Sequence, residues 1–365
     1  MAVAHAELMS VGPDEVVVTF TTEPGVEVRT RVGDAVVVTT GPHHTARVTG
    51  LAADTEYPLA VEGTPADRWL PARVRTLVQP AGRLLATLAT ANDVHFGETE
   101  CGRTGDPATD AIGPILRSAP GAPPYPEVMN GAVVDEMLAL DPDAVVVKGD
   151  LTESGREEQY AAFLACYGRL GARMHHVRGN HDAMRDPQLA RCDAPYALRL
   201  DGVVLAVLDT TLPRHVGGAL PIAQRDWLDE LAAGTPDPVL VFAHHPSFNP
   251  DPNYGLAPAD HEALLALIAR RENIAGYLSG HTHSNRVVRD PRARDVPCVE
   301  VACTKDYPGA WAEYRVYEGG YTQVMRRVAA SAAREWSELG RTMIQGIYRD
   351  LVLGTIDDRC YTQLF

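Results

Sequence analysis

The sequence predicts two domains of different class, an all-β sandwich over residues 1–79 and an α/β domain over residues 83–328. Up to residue 77, short β-branched runs are separated by Gly, Pro and Asp at the intervals of a β-sandwich. From residue 83, apolar strand-like runs alternate with segments of helical periodicity, which is typical of an α/β domain. At 365 residues, the chain exceeds one typical domain and can bury a large core.

Composition and charge exclude several classes of protein. The chain carries 33 Lys and Arg against 48 Asp and Glu, a net charge of −15, so it is a poor general binder of nucleic acid or anionic membranes. An anionic substrate would need a local positive centre to attract it. With 45% apolar and 22% charged residues, the composition is that of an ordinary soluble globular protein.

The N-terminal residues and the cysteines bear on the cellular compartment. Residues 1–7 lack a charged region followed by an apolar one, so no secretory signal is visible, and the apolar runs are too short to span a bilayer. A cytoplasmic location is expected. The six cysteines show no CxxC spacing and are expected to be free thiols.

The N-terminal region resembles a fibronectin type III domain. Leu51, Thr55 and Tyr57 have the spacing of the corner of such domains, although the usual Pro is replaced by Ala53. The resemblance implies that the Tyr57 hydroxyl bonds to nearby backbone. No chemistry is assigned to this domain, and residues 79–82 are expected to link it to the next. Its strands are expected at Val16–Thr21, Val26–Thr30, Ala35–Thr40 and His44–Val48.

The second domain is expected to alternate strands with helices. Residues 101–127 are rich in Gly and Pro and are expected to form a long ordered loop, a kind of segment that is usually functional or mobile. Strands are expected at Leu84–Ala91, Ala144–Val147, Met174–Val177, Val203–Leu208, Val239–Ala243, Ile274–Ser279, Val296–Ala302 and around residues 315–316. Helices are expected at Gly131–Leu140, Glu157–Leu170, Ala223–Ala233 and Asp260–Arg271.

Residues 329–365 are expected to form a C-terminal helical tail, because residues 329–352 have an apolar period close to helical. The preferred interpretation is a helix packed on the domain, followed by a frayed end. The alternatives are a cover over the mouth of a site or a contact in a homodimer.

Five of the expected strands end in residues that can ligate a metal. Each strand end alone is typical of a cap or a turn, but five together predict a ligand site beyond the carboxyl ends of the strands. In chain order, the side chains are those of Asp93 and His95, then Asp150, then Asn180, His181 and Asp182, then His244 and His245, then His281 and His283.

The donor types indicate the chemistry. Oxygen and imidazole ligands without thiolate suit Mn, Fe, Co or Zn. A carboxylate able to bridge would hold two such ions about 3.5–4 Å apart, where they polarise a phosphoryl group and lower the pKa of bound water towards about 7. Uncatalysed phosphate-monoester hydrolysis is among the slowest reactions known, so a large electrostatic contribution is needed.

These motifs resemble the calcineurin-like metallophosphoesterase family over residues 84–302. The resemblance implies a four-layer αββα sandwich, with two sheets face to face and helices outside, and a dinuclear metal site. It implies that His181 contacts the phosphate and protonates the leaving oxygen and that Asp182 orients His181. The implied ligands are Asp93, His95, Asp150 and His283 for the first metal and Asp150, which bridges, with Asn180, His244 and His281 for the second.

Two positions narrow the subfamily. Purple acid phosphatases have a tyrosine three residues after the bridging Asp, where this chain has Glu153, and they lack the His that stands here as His95. An iron–tyrosinate site is therefore not expected. The block at residues 149–155 is closer to bacterial class III cyclic-nucleotide phosphodiesterases and glycerophosphodiesterases.

The resemblance implies a metal-dependent hydrolase whose substrate is a small phosphodiester or a cyclic nucleotide. A phosphomonoesterase is the alternative, and a non-catalytic binding module is a weaker one, since no ligand is missing. His245 is expected either to lie beside the substrate or to pack in the core. His215, in a Gly-rich loop, is a weaker candidate for the rim of the site.

Overall fold

The N-terminal region consists of two antiparallel sheets, of three and four strands. The structure is a computed structural model and describes residues 3–106, 108–109 and 111–365. The sheets have the orders β1-β2-β5 and β4-β3-β6-β7. The strands are β1 (Ala4–Val11), β2 (Glu15–Thr21), β3 (Glu27–Val32), β4 (Ala35–Thr40), β5 (His43–Thr49), β6 (Glu56–Val61) and β7 (Arg73–Arg75).

The all-β class predicted for this region is confirmed, whereas the fibronectin type III resemblance stays a prediction. The Tyr57 hydroxyl accepts a hydrogen bond of 2.9 Å from the backbone N–H of Ala52. Strand β2 is buried on both faces, which is why it lacks the alternation of a half-exposed strand. One face lies in the sandwich core, and on the other Thr19 accepts a hydrogen bond from Arg327.

The second region contains the remaining elements of the chain. Its strands are β8 (Leu84–Ala91), β9 (Glu100–Asp106), β10 (Ala111–Arg117), β11 (Ala144–Lys148), β12 (Met174–Val177), β13 (Tyr196–Leu200), β14 (Val203–Val207), β15 (Val239–Phe242), β16 (Ile274–Ser279), β17 (Arg286–Arg289), β18 (Pro297–Glu300), β19 (Ala310–Tyr317), β20 (Gly320–Arg327) and β21 (Cys360–Leu364). Its helices are α1 (Tyr125–Leu140), α2 (Glu157–Tyr167), α3 (Asn180–Arg185), α4 (Ile222–Ala233), α5 (Pro258–Arg270), α6 (Ser331–Gly340), α7 (Tyr348–Val352) and α8 (Ile356–Arg359). Short 3₁₀ turns lie at Gly168–Arg173, Pro252–Tyr254 and Pro291–Ala293.

Two six-stranded sheets form the centre of this region, with the orders β12-β11-β8-β19-β20-β21 and β13-β14-β15-β16-β18-β17. Leu88 and Val146 of the first sheet share one buried cluster with Leu205 and Phe242 of the second, so the sheets pack face to face. Helices α1 and α2 cover the outer face of the first sheet, and α4 and α5 cover the second. The α/β prediction is confirmed, and the layers follow the order helix, sheet, sheet, helix.

The prediction of a long loop over residues 101–127 is wrong. Strands β9 and β10 pair as an antiparallel hairpin, and α1 begins at Tyr125. The hairpin packs on a distant segment, since the N–H of Gly105 donates to Thr342 O and the N–H of Ile344 donates to Arg103 O. The Gly and Pro residues of these strands point to a loop, and the packing of the hairpin on a segment more than 200 residues away leaves no signal in the local sequence.

The predicted helical tail is corrected at its end. Helices α6, α7 and α8 are followed by β21, which pairs with β20 at the edge of the first sheet. Cys360 is buried in the core of the N-terminal sandwich, and Tyr361 lies between the two large sheets. The end of the chain is therefore not frayed, because it completes a sheet edge. Strands β1, β6, β7, β13, β17 and β20 and helix α3 were also not predicted.

The six cysteines are free thiols, as predicted. Among the described residues, no helix is long and apolar enough to cross a membrane.

Candidate metal centre

Loops from both large sheets bring the predicted ligands together. Asp93 and Asp150 follow β8 and β11 of the first sheet, whereas His244 and His281 follow β15 and β16 of the second. Hydrogen bonds join the loops of the two sheets, since the backbone N–H of His281 donates to both carboxylate oxygens of Asp93, at 3.1 and 2.9 Å. The site therefore lies at the carboxyl ends of the parallel strands, where the sequence predicts it.

The backbone is strained at the ligands. Five of them have positive φ angles, a conformation that costs a non-glycine residue on the order of 1–3 kcal/mol. Strain of this kind persists only where the surrounding structure enforces it, and it clusters at functional sites. The residues are Asp93 (51°), His95 (44°), Asp150 (48°), His281 (83°) and His283 (57°).

Two glycines of the motifs allow the loops to approach each other closely. A Cβ atom on Gly280 would lie 2.7 Å from Asp93 Oδ2, and one on Gly179 would lie 2.2 Å from Asp150 Oδ1. Neither position can hold a side chain without moving a ligand. Close packing therefore explains why a Gly precedes Asn180 and His281.

One cluster of donors forms around His244. Its Nδ1–H donates to Lys148 O at 2.9 Å, so Nε2 faces Asn180 Oδ1, 3.0 Å away, and Asp150 Oδ1, 3.4 Å away. Once Nε2 loses its proton, its lone pair points towards both oxygens. Three acceptor atoms that converge on one point, in a fully buried place, fit a cation between them. The ring of His281 lies 5.0 Å from that of His244, and the buried Nδ1 of His281 has no hydrogen-bond partner within the part of the chain that the structure describes.

A second cluster forms on the other side of Asp150. His95 Nδ1 lies 3.0 Å from Glu153 Oε2, to which it donates, so the lone pair of Nε2 is free and lies 3.6 Å from Asp150 Oδ2. This Nε2 is buried and has no hydrogen-bond partner among the described residues. His283 Nε2 lies 3.7 Å from Asp93 Oδ1. The donor atoms of Asp93, His95 and His283 lie within 4.8 Å of one another.

The two clusters share the carboxylate of Asp150. Its Oδ1 faces His244 and its Oδ2 faces His95. The set contains oxygen and imidazole donors only, which suits Mn, Fe, Co or Zn. The donors present thus fit two ions held by one bridging carboxylate, and the assignment of each ligand to an ion stays a prediction from the resemblance.

His181 lies beside this centre, half exposed to solvent. Its Nδ1–H donates to Glu153 O at 2.6 Å, and its backbone N–H donates to Asp150 Oδ1 at 2.9 Å. Its side chain is 36% exposed, which leaves Nε2 available to a bound molecule. Burial lowers the pKa of His181, but the charge of Asp150, the hydrogen bond to Glu153 O and the charges of Glu153 and Asp182 together outweigh it, and the net shift is upwards. A raised pKa favours a proton donor.

Asp182 does not contact the His181 ring, contrary to the prediction that it orients His181. Its two oxygens accept hydrogen bonds from the N–H groups of Leu151, Thr152 and Gly179 at 2.7–3.1 Å and from the Thr152 hydroxyl at 2.7 Å. The carboxylate is saturated by these donors, so the carbonyl of Glu153 orients His181 instead. Asp182 ties the loop of Asp150 to the loop of Asn180.

His245 packs in the core, which decides between its two predicted roles. It is fully buried, Thr210 Oγ1 donates to its Nδ1 at 2.9 Å, and its Nε2–H donates to Val216 O at 3.0 Å. With both nitrogens engaged, it cannot contact a substrate. His215 is exposed, and its Nδ1 accepts a hydrogen bond of 3.2 Å from the N–H of Gly217. Like His245, it does not join the donors of the metal centre.

Sequence reasoning missed two buried cations beside the ligands. The chain contains two lysines, Lys148 and Lys305, and both are buried here. Lys305 Nζ lies 3.0 Å from Glu98 Oε2 and 3.0 Å from Asp306 Oδ2, and Glu98 in turn lies 3.7 Å from His95. The rarity of lysine in the sequence could have pointed to them, because the chain uses Arg for all its other basic side chains apart from His.

Comparisons with known proteins agree with the fold and the motifs. A model of the family described as calcineurin-like phosphoesterase matches residues 88–285. A cAMP/cGMP dual specificity phosphodiesterase of Mycobacterium tuberculosis is 30% identical over 159 residues, which are 40% of this chain and 49% of that protein. The glycerophosphodiester phosphodiesterase GpdQ of Enterobacter lignolyticus is 31% identical over 176 residues, 42% of this chain and 62% of that protein.

Among solved structures, a dimetal phosphatase from Danio rerio is similar in fold, with a TM-score of 0.52 and 18% identity over 67% of this chain and 97% of that one. The chain spans about half the length of the curated relatives it matches. The family match nevertheless covers more than half of this chain and includes all the predicted metal ligands, from Asp93 to His283. The chain belongs to the calcineurin-like phosphoesterase family.

Proposed function

We propose that this protein hydrolyses phosphate esters and that its substrate is a small phosphodiester or a cyclic nucleotide. One observation carries the proposal. The two oxygens of Asp150 face two separate clusters of imidazole and oxygen donors, which is the arrangement needed to hold two metal ions at one phosphoryl group. Bound there, the ions would polarise the phosphoryl group and activate water.

The residues of the chain supply positioning and a proton. His181 directs Nε2 outwards, because Glu153 O holds the other ring nitrogen, and from there it donates a proton to the leaving oxygen. Asp182 acts as a positioning residue, since it fixes the backbone of Thr152 and Gly179. Lys305 partly balances the carboxylates beside His95 and lowers the cost of their burial.

The names of the relatives favour a diester over a monoester. The Mycobacterium tuberculosis relative is a phosphodiesterase for cyclic nucleotides, and the Enterobacter lignolyticus relative is one for glycerophosphodiesters. Their leaving groups are alkoxides, which need a proton donor such as His181. A phosphomonoesterase remains the second candidate, because the same metal ligands serve both reactions.

The test compares two esters that release the same chromophore. Purified protein supplied with Mn is expected to cleave bis-p-nitrophenyl phosphate faster than p-nitrophenyl phosphate. Faster cleavage of the monoester would favour the phosphomonoesterase. In Asp150→Asn, bound metal and both activities should be lost, whereas Asp201→Asn, an exposed residue paired with Arg83, should behave as the wild type. Unchanged activity in Asp150→Asn would refute the dinuclear assignment.

We also infer that the N-terminal sandwich is of the fibronectin type III kind. Its division into three and four strands and the Tyr57–Ala52 bond support this. Since β2 is buried against Arg327 and its neighbours, the sandwich acts as a fixed part of the structure.

A further inference from the structure

Two loops form one rim beside the His244 side of the metal centre. The first is residues 209–218 after β14, and the second is residues 247–256 after β15. The N–H of Gly218 donates to Gly255 O at 3.0 Å, and the N–H of Ala257 donates to Gly218 O at 3.2 Å. A Cβ atom on Gly217 would lie 2.7 Å from Pro252 O, so the loops also pack closely. They behave as one unit.

Each loop is attached to a histidine in or next to the metal centre. His245 donates to Val216 O at 3.0 Å, and His281 Nε2 lies 3.4 Å from Asn253 O. The rings of His245 and His281 are 4.7 Å apart. The rim is therefore held in a fixed position relative to the metal ligands.

The rim presents an aromatic and an aliphatic side chain to solvent. Tyr254 follows the attached Asn253, is 48% exposed, and places its ring centroid 6.0 Å from that of His281 at an angle of 37°. Val216, which is 39% exposed, belongs to the other loop. An exposed aromatic face next to a buried metal ligand is well placed to bind the part of a substrate that projects from the phosphate.

We propose that Tyr254 stacks on the base of a nucleotide and thereby makes this protein selective for nucleotide esters over glycerol esters. The inference rests on the proposed function, and it distinguishes the two kinds of diester that the relatives cleave. Every nucleobase has a π face, and loss of one aromatic partner weakens binding about 5- to 150-fold. A glycerol group has no such face and would gain little from Tyr254.

The test measures binding of 5′-AMP and ribose 5-phosphate to the Mn-loaded protein by calorimetry. Ribose 5-phosphate carries a hydroxyl group where 5′-AMP carries the base, so the ratio of their Kd values reports the contribution of the base. The wild type is expected to prefer 5′-AMP at least tenfold. Tyr254→Ala and Tyr254→Leu should reduce the ratio at least fivefold, whereas Tyr254→Phe should keep it. Retention of the ratio in Tyr254→Ala, or its absence in the wild type, would overturn the proposal.

Phe248→Ala is the matched control. Phe248 is 39% exposed on the same loop, but its ring lies 5.3 Å from that of His261, away from the metal ligands, and the ratio should not change. Hydrolysis of bis-p-nitrophenyl phosphate, measured in parallel, separates the two proposals. A protein without this activity that still prefers 5′-AMP refutes the hydrolase and supports Tyr254. An active protein whose ratio is unaffected by Tyr254→Ala refutes only the role of Tyr254.

Discussion

The ammonium of Lys148 donates a hydrogen bond to the carbonyl oxygen of Ser279 and so joins the strand before Asp150 to the strand before His281. Lys148 is fully buried between the two sheets, near the carboxylates of Asp93 and Glu300. Burial lowers its pKa to about 7 against the opposing effect of these carboxylates. Below pH 7, where the ammonium form prevails, its charge compensates Asp93 when no metal does.

Lys148→Met should destabilise the metal-free protein more than the metal-loaded protein. Without the ammonium, Asp93 becomes a buried charge without a cation, an effect of about 3–5 kcal/mol. Bound metal would compensate Asp93 instead, so the loss of unfolding free energy should be smaller in the metal-loaded protein. Urea unfolding at pH 6, in EDTA and in Mn, measures both values. Arg83→Met, which breaks an exposed pair with Asp201, is the control and should leave the unfolding free energy nearly unchanged in both states. An equal loss in both states for Lys148→Met would contradict this role.

Metal binding should strengthen as pH rises from 7 to 9. Burial disfavours the charged form of His244, but Asp150 outweighs it and raises the pKa of the imidazole to about 9. Below that pH, the metal-free ring holds a proton that the ion must displace. The affinity should therefore rise about tenfold per pH unit and level off near pH 9. Calorimetry in two buffers of different ionisation enthalpy should detect the released proton, and an affinity independent of pH would exclude this competition.

Asp182→Asn should lose stability as well as activity. An amide can accept at only one position, so some of the N–H groups of Leu151, Thr152 and Gly179 lose their acceptor, at about 1–3 kcal/mol for each unsatisfied group. His181→Gln is the contrast. It should keep the unfolding free energy and the metal content but lower kcat about 10²–10⁴-fold for an alkyl leaving group.

The decrease of kcat in His181→Gln should be smaller for a p-nitrophenyl leaving group, which departs without a proton. Comparison of kcat for the two leaving groups, with urea unfolding of both variants, separates the proton donor from the positioning residue. A stability loss in His181→Gln equal to that in Asp182→Asn would show that the two residues share one structural role.

The residues that come together at the candidate metal centre could be predicted from the sequence because their signal is local. Each follows an apolar run directly, as Asp93 follows β8, and a strand end fixes where its next residues lie. The partners of Asp182 were not predictable in this way, because the donors to its carboxylate are backbone N–H groups of a loop about thirty residues earlier. Strand β21 was missed for a related reason, since its pairing with β20 spans about forty residues and leaves no periodicity.

Glu7 ties the N-terminal sandwich to the end of the chain. It lies fully buried in β1, where Arg341 donates to both of its oxygens, Arg327 lies 3.5 Å away and the Tyr307 hydroxyl donates to it at 3.0 Å. Burial raises the pKa of Glu7, but the two guanidinium groups outweigh it, and the net shift is downwards from 4.5. The ionised form is therefore the one that stabilises the folded protein.

Glu7→Gln should cost up to about 3–5 kcal/mol of unfolding free energy at pH 7, because the variant leaves the buried Arg327 and Arg341 with one carboxylate, that of Glu338, instead of two. A folded-state pKa below the unfolded value of 4.5 gives a stabilisation that is complete above pH 4.5 and is lost as the pH falls towards the folded pKa. The difference between wild type and variant should thus be constant from pH 7 to 5 and shrink by pH 3.5. Urea unfolding at these three pH values measures it, with Glu62→Gln, from an exposed pair with Arg29, as control. A difference that stays constant down to pH 3.5 would mean that the carboxylate charge of Glu7 does not hold the sandwich in place.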